Sequence, residues 1–278
     1  MFINVVMITT YIVDCFAIGT GPWKFFQLNA PHFNSEKGIF SKIDLDDMFP
    51  EEWRLSQRYD ADDYLPEEYP VFLKPEWGQN AGGIHCARNI DELTAIRREL
   101  RDSRVPYIIQ QAAPEKREFE IFAIRSLETM DRPHVFTITE VINDVDEYPI
   151  NSVQNPGTSY REITQDLDAP QLEQLWALTG RIGRFTLSRL CARANTVEDL
   201  LAGRFHIVGL NLYNPMPMHF MDSKYSPLQI WRMIWRDVTT LARITKNLDP
   251  EQEVKPVYWN LKLYNRKNPV AGWLRNKI

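Results

Sequence analysis

Lys74 follows the apolar run Val71-Phe72-Leu73 and precedes a stretch that carries Gly78, Ala81, Gly82 and Gly83. A run of this kind reads as a buried strand, and glycines just beyond it allow backbone N–H groups to approach an anion closely. A lysine at the strand's end adds a point charge to the same place, a layout suited to phosphate. The bland counterpart is a hairpin with a glycine turn and an exposed lysine. Further along, Gln110 and Gln111 end a second apolar run. Segment 117–124 then alternates, so Glu118 and Glu120 share one face while Phe119, Ile121 and Ala123 share the other. Segment 143–164, with Asn151, Ser152 and Tyr160, is rich in turn formers. It reads either as a surface loop or as a substrate loop, since connections of this length in compact domains are often binding elements.

The elements needed to position these residues follow from periodicity. Strands are expected at 71–73, 84–87, 105–111, 117–124, 134–142 (carrying Glu140), 185–193 and 205–212. Helices are expected at 91–101, with Leu93, Ile96 and Leu100 inward, at 170–182, capped by Asp168, and at 227–246. In the last, Ile230, Ile234, Val238, Leu241 and Ile244 form the buried side, and Trp231 and Trp235 add bulk. Residues 3–8 read as a buried strand, with a membrane anchor or signal as the alternative for this apolar end, 25–41 as an ordered connector, and the acidic stretch 44–68 as a solvated linker at a boundary. His219 and Asp222 are near enough in sequence to form a polar pair, although a histidine among methionines is usually structural.

With 278 residues, 44% hydrophobic, the chain can build one large or two small domains. A net charge of −5 argues against a general nucleic-acid binder. Three widely spaced cysteines, Cys15, Cys86 and Cys191, suggest neither disulfides nor a zinc site, and a reducing, cytoplasmic setting fits. After Glu253 no acid remains, while Lys255, Lys262, Arg266, Lys267, Arg275 and Lys277 are interleaved with Tyr258, Trp259, Tyr264 and Trp273. This tail suits an anionic membrane or an acidic protein face, or else it packs on the chain's own acidic stretch.

The order YPVFLKPEWGQNAGG, an amphipathic helix, YIIQQAAPEKREFEIFAI and later GRFHIVGLNLYNP resembles the ATP-grasp superfamily, most of all its peptide-ligase-type members (carboxylate–amine and D-alanine–D-alanine ligases), over about residues 55–247. The resemblance implies an α+β fold in which two subdomains clamp ATP, here 55–112 and 113–250, flanked by an N-terminal segment (1–54) and the basic tail (251–278). It implies phosphate contacts from Lys74 and from the loop holding Gly78, Ala81, Gly82 and Gly83, with a second lysine at Lys37 or Lys42. Gln110 and Gln111 would form the adenine hinge and Glu118 would hold the ribose. Arg189 and Asn211 would serve catalysis, with Asn151, Ser152 and Tyr160 on the acceptor. The implied reaction activates a small carboxylate as an acyl phosphate for attack by an amine.

The chain departs from this pattern at the magnesium site. Where the family carries Glu-x-Asn it has Gly209-Leu210-Asn211, and the preceding strand has Thr186 and Ser188 but no acid. Magnesium needs hard oxygen ligands, so only Asn211 remains, with Glu140 or Asp222 as substitutes; Arg189 and Arg193 stand nearby in sequence, where arginine could bind an anionic substrate or partly replace the cation, or form a structural pair. The alternative function is therefore a non-catalytic nucleotide- or partner-binding protein.

Overall fold

The structure, a computed structural model, describes residues 2–103, 105–126 and 132–267. Two antiparallel sheets dominate it. The first holds β1 (Gln57–Tyr59), β2 (Val71–Pro75), β3 (His85–Ala87) and β4 (Tyr107–Gln111) in the order β1-β4-β2-β3, with α3 (Ile90–Leu100) packed through Leu93 onto Val71, Leu73 and Ile109. The second holds β5 (Arg117–Ile124), β6 (Val135–Ile142), β7 (Ser159–Glu162), β8 (Leu187–Ala194) and β9 (His206–Asn211) in the order β7-β6-β5-β8-β9. Sequence-adjacent strands pair through β5, β6 and β7, while β5 also pairs along its whole length with the distant β8.

The second sheet separates two bodies of apolar contact. Phe119, Ile121, Ile138, Leu190 and Ile207 face α4 (Ala169–Gly180), α5 (Val197–Leu201) and the aromatic residues of the N-terminal segment. Asp168 caps α4 by accepting from the Gln171 N–H, and the Gln171 side chain returns the bond, so the expected helix start is met. Phe122, Ile124 and Leu187 instead meet α6 (Pro227–Lys246).

Several expectations are corrected. Residues 3–8 are not a strand but part of α1 (Phe2–Ala17), whose Val6, Met7, Tyr11 and Cys15 recur at helical spacing and pack on α6. β-Branched residues favour a strand locally, and tertiary packing overrides them. The acidic stretch is not a solvated linker: it contains α2 (Lys42–Asp46) and β1, and Leu45, Phe49, Trp53 and Leu55 are buried between its outward acids. Trp231 and Trp235 face solvent rather than the core, each about half exposed. The start of the basic tail forms α7 (Val257–Lys267), and its Val257 and Leu261 are buried in the main core rather than on acidic surface. Arg275, Lys277 and Trp273 lie outside the described residues.

The N-terminal segment is built into the second sheet. The Asn29 side-chain amide donates to Leu187 O (2.6 Å) and Leu212 O (2.8 Å), and its carbonyl accepts from Thr186 N (3.0 Å). It thus ties the start of β8 to the end of β9. Among the described residues no helix is long and apolar enough to cross a membrane.

Candidate functional site

A cleft of about 190 Å³ opens between the two sheets, and both line it. On the first side, strand alternation sends Val71 and Leu73 into the core while Phe72 and Lys74 line the cleft. Lys74 is only 8% exposed. Its ammonium donates to Gln110 Oε1 (2.5 Å) and to Val208 O across the cleft (3.1 Å). Burial lowers its pKa to about 8. Lys42, at the start of α2, is the second lysine. It donates to Pro75 O (2.6 Å), and burial together with the Lys74 charge lowers its pKa to about 7. Lys37 is placed elsewhere, held by Asp44 (2.6 Å) and Glu76 (3.0 Å).

The loop after β2 contributes Gly78 and Ala81 to the cleft wall, together with Gln79 and Asn80, which sequence reasoning passes over. Asn80 and Ala81 both have positive φ (53° and 57°), a conformation disfavoured for side-chain-bearing residues by about 1–2 kcal/mol each. Gly82 and Gly83 belong to the same loop without lining the cleft. Gln110 and Gln111 both line it. At the crossing between the sheets the Gln111 and Ala112 N–H groups are taken by Ser56 O and Pro70 O, and Pro114 has none. Ala113, between them, lines the cleft.

The second side is ionic. β5 alternation places Glu118 and Glu120 in the cleft, and the register sets Glu118 opposite Arg193 and Glu120 opposite Cys191. Glu118 Oε2 accepts from Arg193 (3.1 and 3.3 Å) and from Asn151 Nδ2 (3.0 Å). Glu120 pairs diagonally with Arg189 at 2.6 Å, and Arg189 also donates to Met216 O (3.0 Å). Burial raises the pKa of Glu120, against the pull of Arg189, and raises that of the neighbouring Cys191 thiol. Tyr160, expected on the acceptor, does not line the cleft; burial and then the Glu120 carboxylate hold its phenol protonated, against the pull of Arg189. Asn211 and Gly209 line the β9 edge, and the Asn211 carbonyl accepts from Tyr213 N (3.2 Å).

Further expected residues also fall outside. Ser152 Oγ accepts from Gln154 N (3.2 Å), a turn role, and does not line the cleft. Glu140 sits on the opposite face of the sheet, bound by Arg117 (2.7 Å) and Arg161 (2.9 Å), so it is no substitute metal ligand. Asp222 accepts from the Glu162 and Lys224 N–H groups away from the cleft, and His219 meets Thr137 Oγ1 (3.0 Å), not the Asp222 side chain. On this side, sequence reasoning leaves Glu120 and Cys191 without a role. Their signal is the i, i+2 alternation already visible on β5 and β8.

A magnesium ion does not fit this donor set. Glu118 and Glu120 are the acids lining the cleft, and each is bonded to an arginine. Among the described residues no three His, Cys, Asp or Glu side chains converge. A polyphosphate does fit, because two partly desolvated ammonium groups face the same cleft.

Against solved structures the chain is similar to D-alanine–D-alanine ligase from Bacillus anthracis in complex with ATP: TM-score 0.50, 11% identity, 75% of this chain and 68% of that one. It is also similar to the VanG D-Ala:D-Ser ligase from Enterococcus faecalis: TM-score 0.51, 11% identity, 78% of this chain and 70% of that one. The chain has the ATP-grasp fold. No protein-family model matches the sequence, and no curated protein matches it. At this identity the likeness is one of fold, and the side chains of the cleft must carry any functional argument.

Proposed function

We propose that the cleft binds ATP and that the protein is a ligase-like enzyme acting on small carboxylate and amine substrates, with residues 55–112 and 113–250 as the two arms of the clamp. The observation that carries the reading is the pair Lys42, half-buried, and Lys74, buried, which line the cleft with neutral acceptors and, among the described residues, no direct carboxylate partner. An ammonium held this way is stabilised by an incoming anion. Lys74 and Lys42 would hold the phosphates, Gln111 and Ala113 would border the adenine, and Glu118 with Asn151 would receive the ribose hydroxyls. Arg189 would face the acceptor, where a guanidinium suits a carboxylate, with Tyr160 behind it. Transfer of the γ-phosphoryl group to that carboxylate would give an acyl phosphate, and attack by the amine would expel phosphate. Both structural neighbours are ligases by name, in keeping with this chemistry.

A second reading has its own support. Both cleft carboxylates are neutralised by arginine, which suits a protein that holds a nucleotide without turning it over. Calorimetry and phosphate release separate the cases. ATP should bind the wild type and bind Lys74→Ala more weakly by ~1–3 kcal/mol, the range of a charge-assisted contact. Phosphate release that requires both an amino acid and an amine donor supports the ligase. Tight binding with no release for any such pair supports the non-catalytic reading, and equal binding by mutant and wild type removes the nucleotide from this cleft.

A further inference from the structure

The expected cation site and the residues present disagree, and the disagreement has a direction. β8 carries Arg189 and Arg193 into the cleft where a metal-binding strand would present acid, and β9 presents Gly209. Among the described residues, Lys42, Lys74, Arg189 and Arg193 are the cleft's basic side chains, set against Glu118 and Glu120. If all are ionised the lining has a surplus of two positive charges. We propose that this cleft takes its nucleoside triphosphate free of divalent cation, with the two lysines and two arginines supplying the charge that a metal ion would otherwise bring. The proposal rests on the nucleotide reading above and specifies the form of the ligand.

The pattern of hydrogen bonds supports it. Each ammonium has three hydrogens, and Lys74 has two directed to Gln110 Oε1 and Val208 O. Each guanidinium has five. Arg193 uses its Nε and Nη2 on one oxygen of Glu118, and Arg189 engages Glu120 and Met216 O. Hydrogens are left on all three groups, and a guanidinium fork matches the spacing of phosphate oxygens. A divalent ion has the opposite prospects. It would have to displace Arg189 or Arg193 from its carboxylate, and it would itself be repelled by the four cations around it. Burial first of all depresses the pKa values of Lys42 and Lys74, so both ammonium groups gain from an anion that enters, and an uncomplexed triphosphate brings more negative charge than its metal complex.

Calorimetric titration of the full chain with ATP, once with excess EDTA and once with excess magnesium, tests the proposal. The dissociation constant in EDTA should equal that in magnesium within about threefold, or be lower. Binding at least tenfold weaker in EDTA overturns the proposal while leaving the nucleotide reading in place; absence of binding in both buffers sinks the nucleotide reading itself. Two variants sharpen the result. Replacing both partners of one pair, Glu120→Met with Arg189→Met, keeps the cleft's net charge and removes one phosphate fork; metal-free affinity should fall about tenfold without rescue by magnesium, and unchanged affinity in a folded variant overturns the arginine's role. Gly209→Glu adds an acid at a position where a Cβ meets nothing within 4 Å, so packing tolerates it. Metal-free ATP should then bind about tenfold more weakly, with magnesium restoring affinity. If this variant binds metal-free ATP as well as the wild type does, cleft charge does not govern affinity and the proposal is overturned.

Discussion

The two walls of the cleft solve the burial of charge in opposite ways. On the first sheet Lys74, and beside it Lys42, are held by neutral carbonyl and amide oxygens, and desolvation is left largely uncompensated, which lowers both pKa values. On the second sheet every cleft carboxylate is matched across the strands by an arginine. One wall is therefore poised for an anion at the expense of its own stability, whereas the other is internally balanced and reads as scaffold with spare donors. Sites of the first kind respond to a ligand, and those of the second kind respond to loss of a partner.

The largest effect should come from breaking the balanced wall. Glu120→Ala leaves the buried Arg189 guanidinium without its carboxylate and should cost ~3–5 kcal/mol in chemical denaturation, whereas the double replacement by methionine should lie near wild type. A loss below ~1 kcal/mol in the single variant would mean that Arg189 finds water and the wall is not balanced as described.

The poised wall should reveal itself through pH. The folded pKa values of Lys42 and Lys74 lie below the unfolded lysine value, so between pH 7 and 8.5 the unfolded chain binds more protons at these positions than the folded one. Their contribution to stability must then rise with pH across that window. Denaturation midpoints of the wild type without ligand, compared with Lys42→Met and Lys74→Met, should show this: the wild type gains relative to each variant as pH rises. A parallel pair of curves would show the lysines to be solvated. Glu118, Arg193 and Cys191 face Lys74, and Glu76 faces Lys42, so these groups must be kept in both members of the comparison.

The smallest effect should come from the far face. Glu140 is paired with Arg117 and Arg161, which are one-third to one-half exposed, so Glu140→Gln should cost about 1 kcal/mol and leave ATP affinity unchanged. A change in affinity would show that the sheet transmits charge between its faces.

What the sequence disclosed divides along a physical line. Lys74, Glu118 and the loop at Gly78 and Ala81 were legible because they follow from strand alternation and turn chemistry, which are local. The helix starts at Asp168 and near Pro227 were legible for the same reason. The Glu118–Arg193 and Glu120–Arg189 pairs were not, because they depend on the register of β5 against β8, strands some seventy residues apart. Choosing Lys42 over Lys37 required knowing that Asp44 and Glu76 capture the latter. The strand expected at 3–8 failed because β-branched residues say nothing about which partner, here α6, will claim them. Trp231 and Trp235 were misplaced for a related reason: bulk alone does not reveal which side of an amphipathic helix faces the sheet.

Asn29 carries a consequence for the order of events during synthesis. Its three bonds join Thr186 and Leu187 to Leu212, groups that leave the ribosome more than 150 residues after it does. The N-terminal segment therefore waits through most of translation before its polar contacts exist, and β8 and β9 close on a partner made long before them. Removing residues from that end would strip the Asn29 amide from the junction of β8 and β9. A shortened chain begun at residue 55 should thus yield a nascent second sheet that engages chaperones, even though every strand of that sheet is encoded.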